Sequence, residues 1–357
     1  MKVNRRNFLL SSALVGGGVL IGYSASRPTR HRRANNEMVQ DTERFITSFI
    51  KIEPSNRITI YVPHSEMGQG IHTSLSMMVA DELDANWEDV NIEQAPAIDL
   101  FANGDILKGF ATEFGVPNFL MGLVNISAFT VVEIMNLQTT GGSASIRFTG
   151  EYGMRPAGAA ARQMLLQAAA NRWDVSIDEL TTKLSHVHHD PSGRSFSYGE
   201  LADDASLLEP TGEPILKDRS QFQIMGKAIS RNDIPAKVDG SAIYCYGLDA
   251  HADDMLYAAI RLAPVFGTKL ISVDATKALS QRGIKKVVQL EDSVAIVADN
   301  YWRAKKALAL VETEFEASDN DSTSSLDIAN RFDQELANSS GSADMVIGDT
   351  NSAIESA

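Results

Sequence analysis

Polar and apolar residues alternate from Arg57 to Val62, the period of a strand with one buried face. Over Thr73–Ala85 the period changes, with Leu75, Met78, Val79, Glu82 and Leu83 at helical spacing. Val90–Ala95 alternates again, so the stretch predicts a β-α-β unit, with Met77 and Met78 as pliable core filler. Phe114 to Gln138 is largely apolar, with Glu133 as its one charge. Pro117, Asn118, Asn125 and Glu133 break it up, which predicts a helical insertion that is buried or faces another subunit. Pro156 sits at a natural first helical position, and the small residues of Ala157–Ala170 predict a helix that can approach a sheet or a ligand closely.

From residue 240 strand and helix patterns alternate: Ala242–Leu248, Met255–Leu262 and Lys269–Val273 as strands, then a short helix Ala275–Gln281. Strands Lys285–Leu290 and Val294–Asp299 and a helix Tyr301–Leu310 follow, a second α+β domain with its own core. The last 46 residues hold eleven acids against Arg331 alone, interspersed with Ser and Asn, the composition of a solvated or disordered tail.

Candidate chemistry centres on Pro63-His64-Ser65-Glu66-Met67-Gly68-Gln69-Gly70, between the first strand and the helix after it. Gly68 and Gly70 let the backbone come close to a ligand, and the Gln69 amide both donates and accepts. The free N–H groups of the following helix favour an anion there. His64 and His72 flank the loop and could line a pocket, although histidines satisfied by neighbouring groups are the commoner case. His186, His188 and His189 invite a metal reading. Only Asp190 accompanies them and Pro191-Ser192-Gly193 is a plain turn, so a decorated hairpin is preferred and no metal site is predicted.

The run Ile58–Ala97, with E-M-G-Q-G, His72-Thr73 and Ala80-Asp81-Glu82-Leu83, resembles the molybdopterin-binding subunit of the xanthine dehydrogenase and aldehyde oxidase family. The resemblance is nearest to the branch of isoquinoline 1-oxidoreductase beta subunits, in which this segment lies near the N-terminus. Gly141-Gly142-Ser143-Ala144-Ser145-Ile146-Arg147 resembles the second cofactor loop of that branch, and Arg155–Trp173 the helix after it. Asp233-Ile234-Pro235-Ala236-Lys237-Val238-Asp239-Gly240 resembles the entry to its α/β hammerhead domain, followed by Ala263–Gly267 and Val294–Asp299.

The resemblance implies an α+β fold, a partial molybdopterin-binding domain over residues 46–225 followed by a hammerhead domain over 226–316, with the apolar insertion near 104–138. It implies a molybdenum-pterin cofactor, molybdopterin or its cytosine dinucleotide form. Gly68, Gln69, Gly70, Gly141, Gly142, Ser143, Ser145 and Arg147 would hold it. Arg147, Arg155 and Arg162 are candidates to meet its phosphate or pyranopterin, against the commoner fate of pairing with acids. In the family a glutamate in a late Gly-x-Gly-Glu motif activates a metal-bound hydroxide; no such motif occurs here, and Glu66 is not given that role. The catalytic residue is therefore unassigned. Full-length members continue for several hundred residues, so residues 317–357 are expected to end at a truncation inside the fold, and the chain alone is expected to be inactive.

Composition narrows the partners. A formal net charge of −14 over 357 residues makes nucleic acid an unlikely partner. The single cysteine, Cys245, allows neither an intramolecular disulfide nor a Cys-ligated iron–sulfur cluster. Electrons leaving a molybdenum centre would need another polypeptide, and the resemblance implies a small [2Fe–2S] subunit, with c-type cytochromes beyond it and the missing C-terminal half as a separate chain. Asn4-Arg5-Arg6-Asn7-Phe8-Leu9-Leu10 before an apolar run to Tyr23 has the layout of a twin-arginine signal over residues 1–26, ahead of a basic linker over 27–45. Export of a folded protein to the periplasm is expected, and an uncleaved signal would anchor it to the inner membrane. The reading is a subunit of a periplasmic molybdenum hydroxylase that oxidises aldehydes or N-heterocycles with water as oxygen source. The alternatives are a non-catalytic exported scaffold and a membrane-anchored interaction protein.

Overall fold

The computed structural model describes residues 29–39, 42–244, 253–338 and 347–357. The twin-arginine segment and Cys245 lie outside the described residues. The chain divides into two units, Met1–Ser241 and Ala242–Ala357.

In the first unit a helix α1 (Arg30–Glu37) precedes strands β1 (Arg44–Thr47), β2 (Ile50–Ile52) and β3 (Ile58–Val62), helix α2 (Ile71–Leu83) and strand β4 (Val90–Gln94). The sheet order is β1-β2-β3-β4, antiparallel as far as β3, whereas β3 and β4 run parallel with α2 as the crossover, the expected β-α-β unit. β3 is buried along its whole length, where alternation predicted one wet face. The reason is a second cover. Tyr61 packs between Phe45 and Phe101, ring centroids 5.5 and 5.3 Å away, so the side of β3 that carries Tyr61 is closed by aromatics.

The insertion forms helices α3 (Asp105–Glu113) and α4 (Asn118–Ile134). Phe114, Phe119, Ile134 and Met135 stay exposed on it. No helix among the described residues is long and apolar enough to cross a membrane. Helix α5 (Ser143–Thr149) continues through a π-helical turn, Gly150–Met154, into α6 (Arg155–Trp173). The small residues of α6 serve approach to α2. A Cβ on Gly158 would stand 2.7 Å from the Val79 carbonyl oxygen, so only glycine admits this contact. Strands β5 (Leu180–Lys183), β6 (His186–His189) and β7 (Arg194–Ser197) form an antiparallel sheet, followed by helices α7 (Tyr198–Ser206) and α8 (Ile234–Asp239).

Ala80-Asp81-Glu82-Leu83 is taken up by the structure. Asp81 accepts from the backbone N–H groups of Gln223, Ile224 and Met225 at 3.0, 3.1 and 2.8 Å. Glu82, fully buried, accepts from Lys217 N at 3.0 Å and pairs with Arg155 at 2.7 Å. These charge-assisted bonds fasten the segment around 217–225 to α2.

The second unit carries strands β8 (Tyr257–Leu262) and β9 (Leu270–Asp274), helix α9 (Thr276–Leu279), strands β10 (Ile284–Gln289) and β11 (Ser293–Ala298), helix α10 (Tyr301–Leu308) and strand β12 (Glu312–Phe315). The orders are β10-β11-β8 and β12-β9, and Val294, Ile296, Ala304 and Ala307 lie in its core. Of the strand expected over Ala242–Leu248, residues 242–244 are irregular and the rest lies outside the described residues. The acidic segment, expected to be solvated or disordered, is solvated but regular, since it contains helices α11 (Ser325–Asn338) and α12 (Thr350–Glu355), neither with a buried residue. Ser324 and Asp327 bond reciprocally at the start of α11, and Ile328, Phe332 and Leu336 recur four residues apart, local helix signals that outweigh the acidic composition.

Candidate functional site

The two glycine loops, more than seventy residues apart in sequence, lie side by side. Asn103, 2% exposed, joins them. Its Nδ2 donates to the carbonyl oxygens of Pro63 at 2.9 Å and Thr139 at 3.0 Å, and its Oδ1 accepts from Thr139 N at 3.0 Å. Ser65 N donates to Thr140 Oγ1 at 3.1 Å, a second bridge. His64 is buried between them, with Nε2 2.8 Å from Thr149 Oγ1 at the end of α5. Burial lowers its pKa to about 4, so the ring is neutral at physiological pH. His72 Nε2 lies 2.9 Å from the His64 carbonyl oxygen, which gives both histidines partners within the chain.

Gly68 and Gly70 have φ of 100° and 77°, left-handed conformations that justify glycine at both. Gly70 is the N-cap of α2, and no external anion is needed there. The carboxylate of Glu66 takes that place. Glu66 Oε1 accepts from Gly68 N at 2.8 Å and Gly70 N at 2.9 Å, and Oε2 from His72 N at 3.3 Å. Burial opposes its ionisation, but the N–H groups of Gly70, His72 and Gly68 together with Arg231 hold it below the ordinary glutamate range. Arg231 Nη2 donates to Glu66 Oε1 at 3.2 Å and Nη1 to the Gly68 carbonyl oxygen at 2.8 Å. Asp233, held well below the usual aspartate range by Arg231 and Lys237, accepts from Arg231 Nε at 2.9 Å.

Gln69 is turned into its own loop. Its Oε1 accepts from Met67 N at 2.5 Å and its Nε2 donates to the Ser65 carbonyl oxygen at 2.9 Å. In the second loop Gly142 has φ 56° and ψ −128°, and Gly141 N donates to the fully buried Ser145 Oγ at 2.6 Å. Ser143 is exposed at the start of α5. Arg147 points away, paired with Glu113 and stacked on Phe148. Arg155 is taken by Glu82 and Glu151, and Arg162 by the Ile215 carbonyl oxygen. All three arginines thus have partners within the chain. His186 and His188 stack on one face of β6 while His189 is buried against Ser192, and no metal-binding cluster occurs among the described residues.

Sequence reasoning passed over Asn103, Thr139, Thr149 and Arg231. Asn103 carries no motif; Arg231 stands two residues before Asp233, where the resemblance to a domain entry begins. Replacing Glu66 with alanine is expected to leave the Gly68 and Gly70 N–H groups and the Arg231 guanidinium without their acceptor, a loss on the order of 2 kcal/mol. Hydrogen exchange of the Gly68, Gly70 and His72 amides reads this directly, and unchanged protection would overturn the capping role.

Residues 9–105 match the family described as Molybdopterin cofactor-binding domain, a span that includes the first loop and Asn103 and ends before Gly141. The beta subunit of isoquinoline 1-oxidoreductase from Brevundimonas diminuta is 30% identical over 353 aligned residues, covering 89% of this chain and 41% of that protein. A membrane-bound aldehyde dehydrogenase (pyrroloquinoline-quinone) of Gluconacetobacter polyoxogenes is 28% identical, covering 95% of this chain and 40% of that protein. A nicotinate dehydrogenase subunit of Pseudomonas putida is 26% identical over 274 residues, 74% of this chain and 20% of that protein. The chain therefore spans about two-fifths of the length of the first two relatives. With its first glycine loop inside a molybdopterin cofactor-binding sequence, the chain is a relative of molybdopterin-binding oxidoreductase subunits, that of isoquinoline 1-oxidoreductase among them.

Proposed function

We propose that this chain holds a molybdenum-pterin cofactor at its paired glycine loops, as one subunit of an exported hydroxylase that oxidises aldehydes or N-heterocycles with water as oxygen source. The observation that carries the reading is the junction at Asn103, which brings the Gly68 and Gly142 loops together. The surface there fits a large polar ligand. A Cβ added at Gly68 or Gly142 would meet nothing within 4 Å, so the backbone is open on that side, and the exposed Ser143 stands next to Gly142.

Gly68, Gly142 and Ser143 would contact the cofactor as the loops stand, and Gln69 would join after releasing Met67 N and the Ser65 carbonyl. Ser145 and Asn103 act underneath, holding the loop backbones. Bound there, the cofactor would supply the redox centre at which oxygen from water is transferred to substrate. Glu66 is committed to three N–H groups and Arg231, so the proposal gives this chain the holding of the cofactor and no catalytic base. Electrons would leave through a small [2Fe–2S] subunit and a c-type cytochrome, with further sequence completing the active centre. The α/β hammerhead reading of residues 226–316, the twin-arginine export and the periplasmic location belong to the same proposal.

Two observations favour the other readings. The α2 N-terminus and the Gln69 amide are satisfied without a ligand, as a non-catalytic scaffold requires. The exposed Phe114, Phe119, Ile134 and Met135 suit an interaction surface. The deciding measurement is molybdenum per chain, by elemental mass spectrometry, on protein purified from its native periplasm with partners retained. Near-stoichiometric metal that falls in Gln69→Ala is expected. Folded protein without molybdenum would leave the scaffold reading standing.

A further inference from the structure

The second unit carries two exposed surfaces that complement each other. One is a groove of about 400 Å3 between α10 and the turn that enters β10. Buried Ala307 and the exposed Trp302 and Leu310 supply its apolar lining. Arg282, Arg303 and Lys306 line it as well. Arg303 is matched by Asp299, whereas Arg282 has no hydrogen-bond or ion-pair partner among the described residues. Lys306 stands 5.0 Å from the Trp302 ring centroid and is paired with no carboxylate among them. Gly283 holds Arg282 beside the helix. A Cβ there would come within 2.5 Å of Asp299 Oδ1 and 2.8 Å of Arg303 Cδ, and the φ of 83° also calls for glycine.

The other surface is α11, which buries none of its residues. Ile328, Phe332 and Leu336, four residues apart and 47%, 64% and 81% exposed, make one apolar stripe. At about 100° per residue Asp333 and Glu335 fall on opposite flanks of that stripe. An amphipathic helix with anchors at this spacing is the form in which helices enter apolar grooves.

Charge selects the match. From Lys269 to Leu310 eight basic residues stand against four acidic ones, whereas from Glu312 to Ala357 eleven acids stand against Arg331 alone. The two unmatched cations of the groove therefore favour an acidic occupant, and α11 brings carboxylates together with apolar side chains for Trp302, Ala307 and Leu310. Within one chain α11 stays undocked. Reciprocal exchange between two copies covers both stripes and both grooves and closes on itself.

We propose that the second unit is a self-association surface on which α11 of one copy lies in the α10 groove of a second copy. The Ile328-Phe332-Leu336 stripe covers Trp302, Ala307 and Leu310, and the Asp333 and Glu335 carboxylates face Arg282 and Lys306. The pairing is independent of the cofactor loops.

Sedimentation equilibrium of the full chain, from about 1 to 100 μM, reads the pairing directly. A dimer with a Kd on the order of 10 μM is expected, as befits two contacts of one short helix each. Phe332→Asp, at an exposed position, should weaken it about tenfold or more, and so should Arg282→Glu combined with Lys306→Glu. Adding Asp333→Lys and Glu335→Lys to that charge-reversed groove should restore association to within about threefold of the unaltered chain. Far-UV circular dichroism checks that each variant keeps its fold. A chain that stays monomeric to about 100 μM, a dimer indifferent to Phe332→Asp, or a charge-reversed pair that does not recover would each overturn the proposal.

Discussion

Replacing Asn103 with alanine is expected to destabilise the first unit by on the order of 3 kcal/mol and to separate the two glycine loops. The side chain is 2% exposed and makes its bonds inward, to the Pro63 and Thr139 carbonyl oxygens and from Thr139 N. Alanine strands these groups in a space that water does not fill easily, and each unpaired buried group costs about 1–3 kcal/mol. His64 loses a neighbour as well, for Asn103 Nδ2 lies 3.4 Å from its Nδ1. Urea unfolding gives the free energy, and hydrogen exchange at Ser65 and Thr139 gives the local release. A loss below about 1 kcal/mol, or unchanged exchange at both amides, would show that the loops are held together by something else. Molybdenum content should fall with the loops in this variant, whereas Gln69→Ala should lower it with little change in stability.

The second large effect is a change in the pH dependence of stability on Asp105→Asn. Burial pushes the Asp105 carboxyl up to about 7 against an ordinary value of 3.8. Between these values the folded state binds the proton that the unfolded state has released, so stability falls as pH rises from about 4 to 7, by on the order of 4 kcal/mol. His64 acts in the opposite sense. Its pKa falls from 6.5 to about 4 in the fold, so the unfolded state binds the extra proton and stability is lost as pH falls from 6.5 to 4, by on the order of 3 kcal/mol. In the unaltered protein these trends offset each other below pH 6.5. The asparagine variant removes the first and unmasks the second. It should gain stability steeply from pH 4 to 6.5 and exceed the unaltered protein at pH 8. Parallel stability curves for the two proteins from pH 4 to 8 would rule out a titrating Asp105.

Local pattern was a good guide where short-range physics decides. The helical spacing of Leu75, Val79 and Leu83 predicts α2, Pro156 marks the start of α6, and both lie where the periodicity puts them. The strands from Tyr257 to Ala298 follow the same rule. Pattern failed at β3, where alternation predicted a wet face, because the Phe45 and Phe101 rings that cover it come from distant sequence. At Ser325–Asn338 the acidic composition marked a solvated segment, which the exposed helix is, while its helical spacing went unused.

The candidate site divides in the same way. That a glycine loop precedes α2 is written in residues 63–70, since left-handed φ angles at Gly68 and Gly70 are local requirements that glycine meets. What its polar groups do was decided by the tertiary structure. Glu66, Gln69, Arg147, Arg155 and Arg162 each had the chemistry to meet an anion or a pterin, and each is bonded within the chain. Residue type fixes what a side chain can bond, and the sequence alone thereby determined the β-α-β frame, the glycine turns and the kinship with molybdopterin-binding subunits. Which bond is made depends on which groups folding brings within about 3 Å, and so Asn103, Thr139 and Arg231, far from the first loop or unmarked by any motif, became its supports only in the folded chain.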